Sequence, residues 1–352
     1  MLAQWLFMFA LGAIASFLWI KLITKMKIFN FLRDIPNSRS SHSAAVPRGA
    51  GLVFSLLILL GLVFFEYFTD SSYDMYRLWV MTGILIAGLG FYDDSRSLGA
   101  VFRLTSQFIF ISPFVYLHFQ SWGLHSFYLL TSTFFIVFSI LAIINFFNFA
   151  DGINGYVALQ FLVVLASWTV FSAARGYEIL SNFYLVTPLV GGIFVFIWEN
   201  MLKKSVFMGD SGSTFLGFMA ATLPFLLIDG NPQSLTELPI LSLATIAFGF
   251  ILLIDIISVL LAKVLYRIPP AKPHKCHFYQ RLSRRPRWGH SRTSVLMLFL
   301  QMFVSSLFLL AIGTYGLSAT IFWSILGIFS AIYGSLIIVS NCRAVKSHFY
   351  SF

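Results

Sequence analysis

Phe127 to Phe147, FYLLTSTFFIVFSILAIINFF, holds no charged residue and is long enough to cross a hydrocarbon layer of about 30 Å as a helix. The stretch is continuously apolar. It lacks the strict alternation that separates a lipid face from a lumen in a transmembrane β-barrel, so it reads as a spanning helix. Comparable runs lie at Leu2–Ile20, Leu52–Phe68, Leu78–Phe91, Phe102–Phe119, Tyr156–Ala173, Phe183–Trp198, Thr214–Ile228, Leu238–Tyr266, Ser294–Ile312 and Leu317–Ile338. The fold they predict is all-α: a polytopic transmembrane bundle of about eleven spanning helices, with ten as the alternative count. The third and eighth runs are short, and the ninth is long enough to tilt or break. With 59% hydrophobic and 10% charged residues, a 352-residue chain cannot hide its apolar surface in a soluble core, so lipid is the solvent for much of it. The sequence shows no internal repeat, low-complexity tract or linker-like shift, and 1–352 reads as a single domain.

Charge sets the orientation. With eleven spans, every one of the 23 Lys and Arg residues except Arg77 and Arg175 falls on one side: in the loops Lys21–Arg48, Arg96–Arg103, Lys203–Lys204 and Lys263–Arg292, and in the tail after Asn341. The positive-inside rule makes that side cytoplasmic, with the N-terminus outside and the C-terminus inside. The formal charge of +10 then faces anionic lipid headgroups and anionic substrates; with no separate basic domain, nucleic acid is not expected as a partner. The first run has small residues at Leu11–Ser16 that resemble a signal-peptide cleavage site. Basic residues follow it rather than precede it, which favours a span. Cys276 and Cys342 both map to the cytoplasmic side and imply no disulfide.

Five polar clusters share that side. The first is Arg33-Asp34-Ile35-Pro36-Asn37-Ser38-Arg39-Ser40-Ser41-His42, followed by Pro47-Arg48-Gly49-Ala50-Gly51. Its arginines and glycines at a helix mouth suit an anionic oxygen held by guanidinium forks and free backbone N–H groups, or simply a basic membrane anchor. Asp93 and Asp94 close the third run, where adjacent carboxylates either share a cation or hold one raised pKa. Asn145, Asn148, Asp151 and Asn154 recur every third residue into a glycine-flexed turn, a set that can read a nucleobase edge or hold a hard metal through oxygen. Gly209-Asp210-Ser211-Gly212-Ser213 enters the eighth run. It also has the letters of a serine-protease nucleophile segment, but no triad partners are evident, and Asp210 is either a cap or a phosphate or metal group. The last cluster is Pro273-His274-Lys275-Cys276-His277-Phe278-Tyr279-Gln280-Arg281-Leu282, continuing to Arg284, Arg285, Arg287 and His290. Its spacing is poor for tetrahedral zinc and better for donors around a diphosphate.

In this order and between these spans, the clusters resemble the WecA/MraY family of polyprenyl-phosphate N-acetylhexosamine-1-phosphate transferases, glycosyltransferase family 4, from about Asp34 to Arg281. Each motif alone is weak; the ordered set of five is specific. The resemblance implies transfer of a sugar 1-phosphate from a UDP-N-acetylhexosamine to a polyprenyl (undecaprenyl) phosphate in the membrane. UMP is released, Mg2+ is the implied cofactor with Mn2+ as an alternative, and the reaction lies on the cytoplasmic face of a bacterial inner membrane. It matches Asp93 and Asp94 to the paired aspartates near the lipid phosphate, with Asp93 to deprotonate or orient it. Asn148 and Asp210 match the metal and diphosphate residues, Asp151 and Asn154 the uridine loop, and His274 and His277 the phosphate-contacting histidine motif. Asn154 stands where MraY-type enzymes carry a second aspartate, Asp94 is not followed by their lysine, and Gly-Ala-Gly replaces three glycines. The Asp34–His42 and His274–Leu282 segments look more like the WecA/WbpL-like branch that initiates O-antigen and other surface polysaccharides.

The two readings together give Asp93, Asp94, Asp210, His274 and His277 as catalytic and Asp210 and Asn148 as metal ligands. They give Arg48, Asn145, Asn148, Asp151, Asn154 and Arg281 as substrate contacts and admit a homodimer. The chemistry fits independently. Two phosphate-bearing anions repel, and Mg2+ with Arg and His donors neutralises them while the lipid phosphate attacks in line. Mg2+ takes one or two carboxylates plus substrate phosphates rather than an all-protein cage. The rival class is a lipid-linked sugar transporter, which would place substrate groups near the bilayer midplane; Asp255 is the clear charge inside a run, with no role evident from sequence.

Overall fold

The computed structural model describes residues 1–26, 31–34, 45–69, 74–121, 126–176, 180–227, 238–269, 272, 274–315 and 335–350. Residues 35–44 of the first polar cluster, Pro273 and most of the eleventh run lie outside the described residues. The helices are α1 (Leu2–Lys25), α2 (Leu52–Thr69), α3 (Asp74–Arg96), α4 (Ala100–Ser121), α5 (Ser126–Ala150), α6 (Tyr156–Arg175), α7 (Leu180–Ile197), α8 (Gly209–Leu227), α9 (Leu238–Phe248), α10 (Phe250–Leu265), α11 (Phe278–Ser283), α12 (Gly289–Tyr315) and α13 (Ser335–Tyr350). The described sheet is one antiparallel pair of two-residue strands, β1 (Arg33–Asp34) and β2 (Val46–Pro47).

Eight helices among the described residues are long and apolar enough to cross a membrane, or nine if the bent pair α9–α10 is one span. The third run extends well past its apolar letters to a 23-residue helix that ends beyond Asp93 and Asp94. The eighth forms a helix from Gly209, but its first turns, Gly-Asp-Ser-Gly-Ser-Thr, dilute its apolar character, and it is not among the eight. The ninth run does break: α9 and α10 meet at 79°, at Gly249, whose missing side chain removes helix propensity where the chain turns.

Small residues bring the helix backbones together, as expected where lipid gives helices no hydrophobic drive to associate. A Cβ on Gly12 of α1 would fall 2.0 Å from the Pro188 carbonyl oxygen of α7, and one on Gly61 of α2 equally close to that of Leu185. Large apolar side chains fill the centre, where Trp79 of α3 is fully buried and its indole N–H donates to Thr222 of α8 at 2.7 Å. This α3–α8 packing sets the two aspartate motifs beside each other.

Candidate active site

The site is built where the end of α3 meets the start of α8. Asp94 is buried, and its two carboxylate oxygens accept the backbone N–H groups of Asp210 and Ser211 at 2.9 and 3.1 Å. It therefore caps α8 from a neighbouring helix, with its negative charge at the positive helix end. Gly209, at φ +79°, makes the turn into α8, and a Cβ there would lie 2.5 Å from Asp94 Oδ2.

The first loop is stitched to the same place. Phe207 N–H donates to Pro47 O, Ala50 N–H to Phe207 O and Gly51 N–H to Met208 O, and Gly51 sits so close to Gly212 that a Cβ would come within 2.2 Å of its Cα. This narrows the sequence reading of the first glycine motif. The N–H groups of Ala50 and Gly51 are taken by the chain itself, and the glycines serve backbone-to-backbone contact rather than an open cradle for an anion.

Around this junction four carboxylates converge. Asp93, also buried, pairs with Arg103 at 2.6 Å, and its other oxygen accepts the N–H of Leu98. Arg103 reaches on to Asp210 at 3.7 Å. Asp93 and Asn148 lie within hydrogen-bond reach of the Asp210 carboxyl, and the Asn148 amide also donates to Ser213. Arg48 pairs with Asp34 and lies 3.9 Å from Asp94. Asp151, in the turn after α5, has no hydrogen bond or ion pair from its carboxylate to the described residues. Burial and the charges of Asp210 and Asp94 push it up to about 7. Asp210 is likewise raised to about 7, first by burial and then by Asp94 and Asp93, although 34% of its side chain stays accessible from the mouth of the site. Two arginines against four carboxylates leave a surplus of negative charge, with Asp151 and Asp210 as the carboxylates least satisfied from within.

Other residues singled out from sequence are used differently. Asn145 donates to Gln107 of α4 at 3.1 Å and to Leu141 O, in helix packing beside the cluster. Asn154 is 8% exposed and turns away from the aspartates. Its amide donates to Asn200 O at 2.8 Å, and its Oδ1 lies 3.2 Å from His290 Nδ1. Arg281 donates to Cys276 O, Ser340 Oγ and Asn341 Oδ1, tying the histidine loop to α13. His274 lies with its ring 4.8 Å from that of His277 and accepts Cys276 N–H. Burial, then His277 and Lys263, lower it to about 3, so it is neutral at physiological pH. His277 faces Asp255, the carboxylate inside the ninth run that sequence left without a role, with Nδ1 3.0 Å from Asp255 Oδ2.

Tyr279 joins this loop to the aspartate cluster. It is buried, its ring lies 4.8 Å from that of Tyr156 at a tilt of 32°, and its hydroxyl donates to Phe149 O, between Asn148 and Asp151. Sequence reasoning missed Arg103, Gln107, Asn200 and Asn341 as parts of this assembly, and it placed Tyr279 and His290 in the last polar cluster without a role of their own. Arg103 carried a usable signal, a lone cation just inside a helix at the mouth where the aspartates end. Asn341, in what reads as a tail, carried none.

Among the described residues, no three His, Cys, Asp or Glu side chains form a ready-made metal cage. Asp210 and Asn148, the pair expected from sequence to hold a metal, lie together with Asp151 nearby, and oxygen donors of this kind fit a hard cation that also takes oxygens from a substrate.

Residues 76–228, which span α3 to α8, match the family described as "Glycosyl transferase family 4". The chain is 27% identical over 338 residues to a probable undecaprenyl-phosphate N-acetylglucosaminyl 1-phosphate transferase of Bacillus subtilis, covering 91% of this chain and 87% of that one. It is 30% identical over 249 residues to a phospho-N-acetylmuramoyl-pentapeptide-transferase of Borrelia garinii, covering 60% and 70%. It is 25% identical over 337 residues to a decaprenyl-phosphate N-acetylglucosaminephosphotransferase of Mycobacterium leprae, covering 88% and 82%.

Proposed function

Since the chain belongs to glycosyl transferase family 4, the WecA/MraY family, we propose that it transfers N-acetylhexosamine 1-phosphate from a UDP-sugar to undecaprenyl phosphate, initiating a surface polysaccharide such as O-antigen. The observation that carries this reading is the carboxylate cluster: Asp93, Asp94, Asp151 and Asp210 beside Arg48 and Arg103, with Asp151 and Asp210 pushed up to about 7 and Asp151 without a hydrogen bond or ion pair to the described residues. A transporter would place substrate groups near the bilayer midplane rather than at one end of its helices. A lipid acceptor is supported by an apolar cavity of about 210 Å³ between α5, α8 and α9, lined by Ile136, Ile140, Ile143, Pro224, Phe225 and Leu241. It flanks the helix whose end carries Asn148.

In this reaction an oxygen of the lipid phosphate forms a bond to the sugar-linked phosphorus of the UDP-sugar. The bond from that phosphorus to the bridging oxygen breaks, and UMP leaves with the electron pair. Asp210 and Asp151 would hold Mg2+, which when bound neutralises the diphosphate and the departing UMP. Asn148 orients Asp210. Asp93 keeps Arg103 aimed at Asp210 and at the incoming phosphate, and Asp94 fixes the start of α8. His277 contacts the phosphates, and attack is direct, with no phosphorylated enzyme. The site faces the cytoplasm from a bacterial inner membrane.

The test is purified protein with undecaprenyl phosphate, Mg2+ and a panel of UDP-N-acetylhexosamines, assayed for UMP. Lipid-dependent UMP release is expected with at least one sugar. No release with any of them would overturn the reading in favour of transport. Sugar-phosphate bound covalently to enzyme in single turnover without lipid would replace direct attack by a two-step route.

A further inference from the structure

Asp255 lies in α10, is 5% exposed and plays no part in the aspartate cluster. Every neighbour of its carboxylate is a donor. Oδ1 accepts Phe278 N–H at 2.8 Å and the Asn341 amide at 2.9 Å, and Oδ2 lies 3.0 Å from His277 Nδ1. The Asn341 amide is itself oriented, because its Oδ1 accepts from Arg281 at 2.8 Å and its NH2 also reaches Ser258 at 2.7 Å. Asn341 is fully buried and Asp255 and His277 nearly so, which shields these three from water, while Arg281 is half-buried at the outer end of the chain. A carboxylate ringed by donors is acceptor-only, which puts the hydrogen of His277 on Nδ1. Nε2 makes no hydrogen bond among the described residues. The ring is held from the side as well, stacked at 5.5 Å and 23° on Tyr279, which bonds to the Asn148–Asp151 turn.

We infer that Asp255 is a positioning residue for the transfer reaction: it fixes His277 as the Nδ1–H tautomer and leaves Nε2 as the acceptor that meets the substrate phosphates, taking the hydrogen of a protonated phosphate oxygen. This rests on the proposed transferase function. A purely structural tie between α10 and the histidine loop would be met by any acceptor for Phe278 N–H, and burying a carboxylate for it would be costly. What the carboxylate adds is control of the imidazole, as partners behind catalytic and metal-binding histidines do elsewhere. The arrangement also gives Arg281 a job distinct from touching substrate, since it sets which end of the Asn341 amide faces Asp255.

The test uses the full chain in lipid nanodiscs with UDP-GlcNAc, or whichever UDP-sugar turns over, and undecaprenyl phosphate. Asp255→Asn keeps the shape but places an NH2 among donors. It should lower kcat by about 10–100-fold, the size seen when a carboxylate behind a histidine is lost, with a smaller change in KM for the UDP-sugar. His277→Gln should lose more, and the double variant Asp255→Asn/His277→Gln should be no slower than His277→Gln alone. In 15N-histidine spectra the His277 pair, identified by its absence in His277→Gln, should show a protonated Nδ1 and an unprotonated Nε2 in the parent and lose that pattern in Asp255→Asn. If Asp255→Asn fails to fold, Asn341→Ala carries the same cycle, with a smaller loss that again vanishes beside His277→Gln. Losses that multiply in the double variant, or an unchanged imidazole pattern, would overturn the inference. If the parent releases no UMP, the transferase reading fails instead, and the spectra still decide whether Asp255 sets the tautomer.

Discussion

Asp210 and Asp151 differ from Asp93 and Asp94 in one physical respect: the chain supplies few donors for them, so an added cation has the most to gain there. Asp210→Asn removes the ligand charge while keeping its size and should reduce Mg2+-dependent turnover by about a thousandfold, or about 4 kcal/mol of barrier. Near-normal UMP release would take Asp210 out of the metal site. The raised pKa values fix the sign of a pH effect. Both acids are pushed up to about 7, so below pH 7 the metal-free site is increasingly protonated and Mg2+ must displace protons. The Mg2+ concentration for half-maximal rate should therefore rise as pH falls from 8 to 6 (about tenfold in total over that range for each proton displaced), while saturating Mg2+ moves the acid limb of kcat to lower pH. A half-maximal Mg2+ concentration flat across that range would show that neither acid binds it. Arg103 bridges Asp93 and Asp210 from a largely buried position. Arg103→Ala should cost roughly 30-fold or more in kcat/KM, because removing one member of a buried hydrogen-bonded charge pair costs about 2–5 kcal/mol.

At the scale of elements, the site depends on two glycine motifs that touch each other. Gly51→Ala would force a methyl group into the Gly212 backbone, where neither the α2 entrance nor the α8 entrance can move without releasing Asp94 from the α8 amides. Overpacking of this kind costs about 1–3 kcal/mol or more, so a lower melting temperature together with lost activity is expected. A variant with unchanged melting and rate would mean that the two entrances are loosely joined. The polar clusters were legible in the sequence because charges and amides at helix ends stand out against apolar runs. Their pairing was not: that Asp94 caps α8, or that Asn154 turns to Asn200 and His290, depends on how α3, α5 and α8 pack, and periodicity within one run carries no information on its neighbours. Asp255 shows the same limit. Its burial within a span was visible, but its partners His277 and Asn341 lie 22 and 86 residues away.

Across the whole molecule, the cross-links of the site constrain how the chain threads. Trp19 near the end of α1 donates to Gly49 O before the start of α2, the end of α3 meets the start of α8, the turn after α5 meets α11, and the loop after α10 ties back to α13. Helices that end at the site thus alternate with helices that start there, as a chain crossing a layer back and forth must do, and the basic loops fall at the same end. Charge asymmetry made this readable before any packing was known, since Arg77 and Arg175 are the exceptions to a one-sided distribution of 23 cations. The arrangement predicts opposite accessibility for two exposed positions, Ser97 at the site end of α3 and Ala174 at the far end of α6. In a background lacking Cys276 and Cys342, Ala174→Cys should react with a membrane-impermeant maleimide on intact spheroplasts, and Ser97→Cys only after permeabilisation. Inverted vesicles should give the reverse. Labelling of Ser97→Cys from outside would put the carboxylate cluster on the face opposite to cytoplasmic UDP-sugars, and the proposed reaction could then not occur where its donor is made.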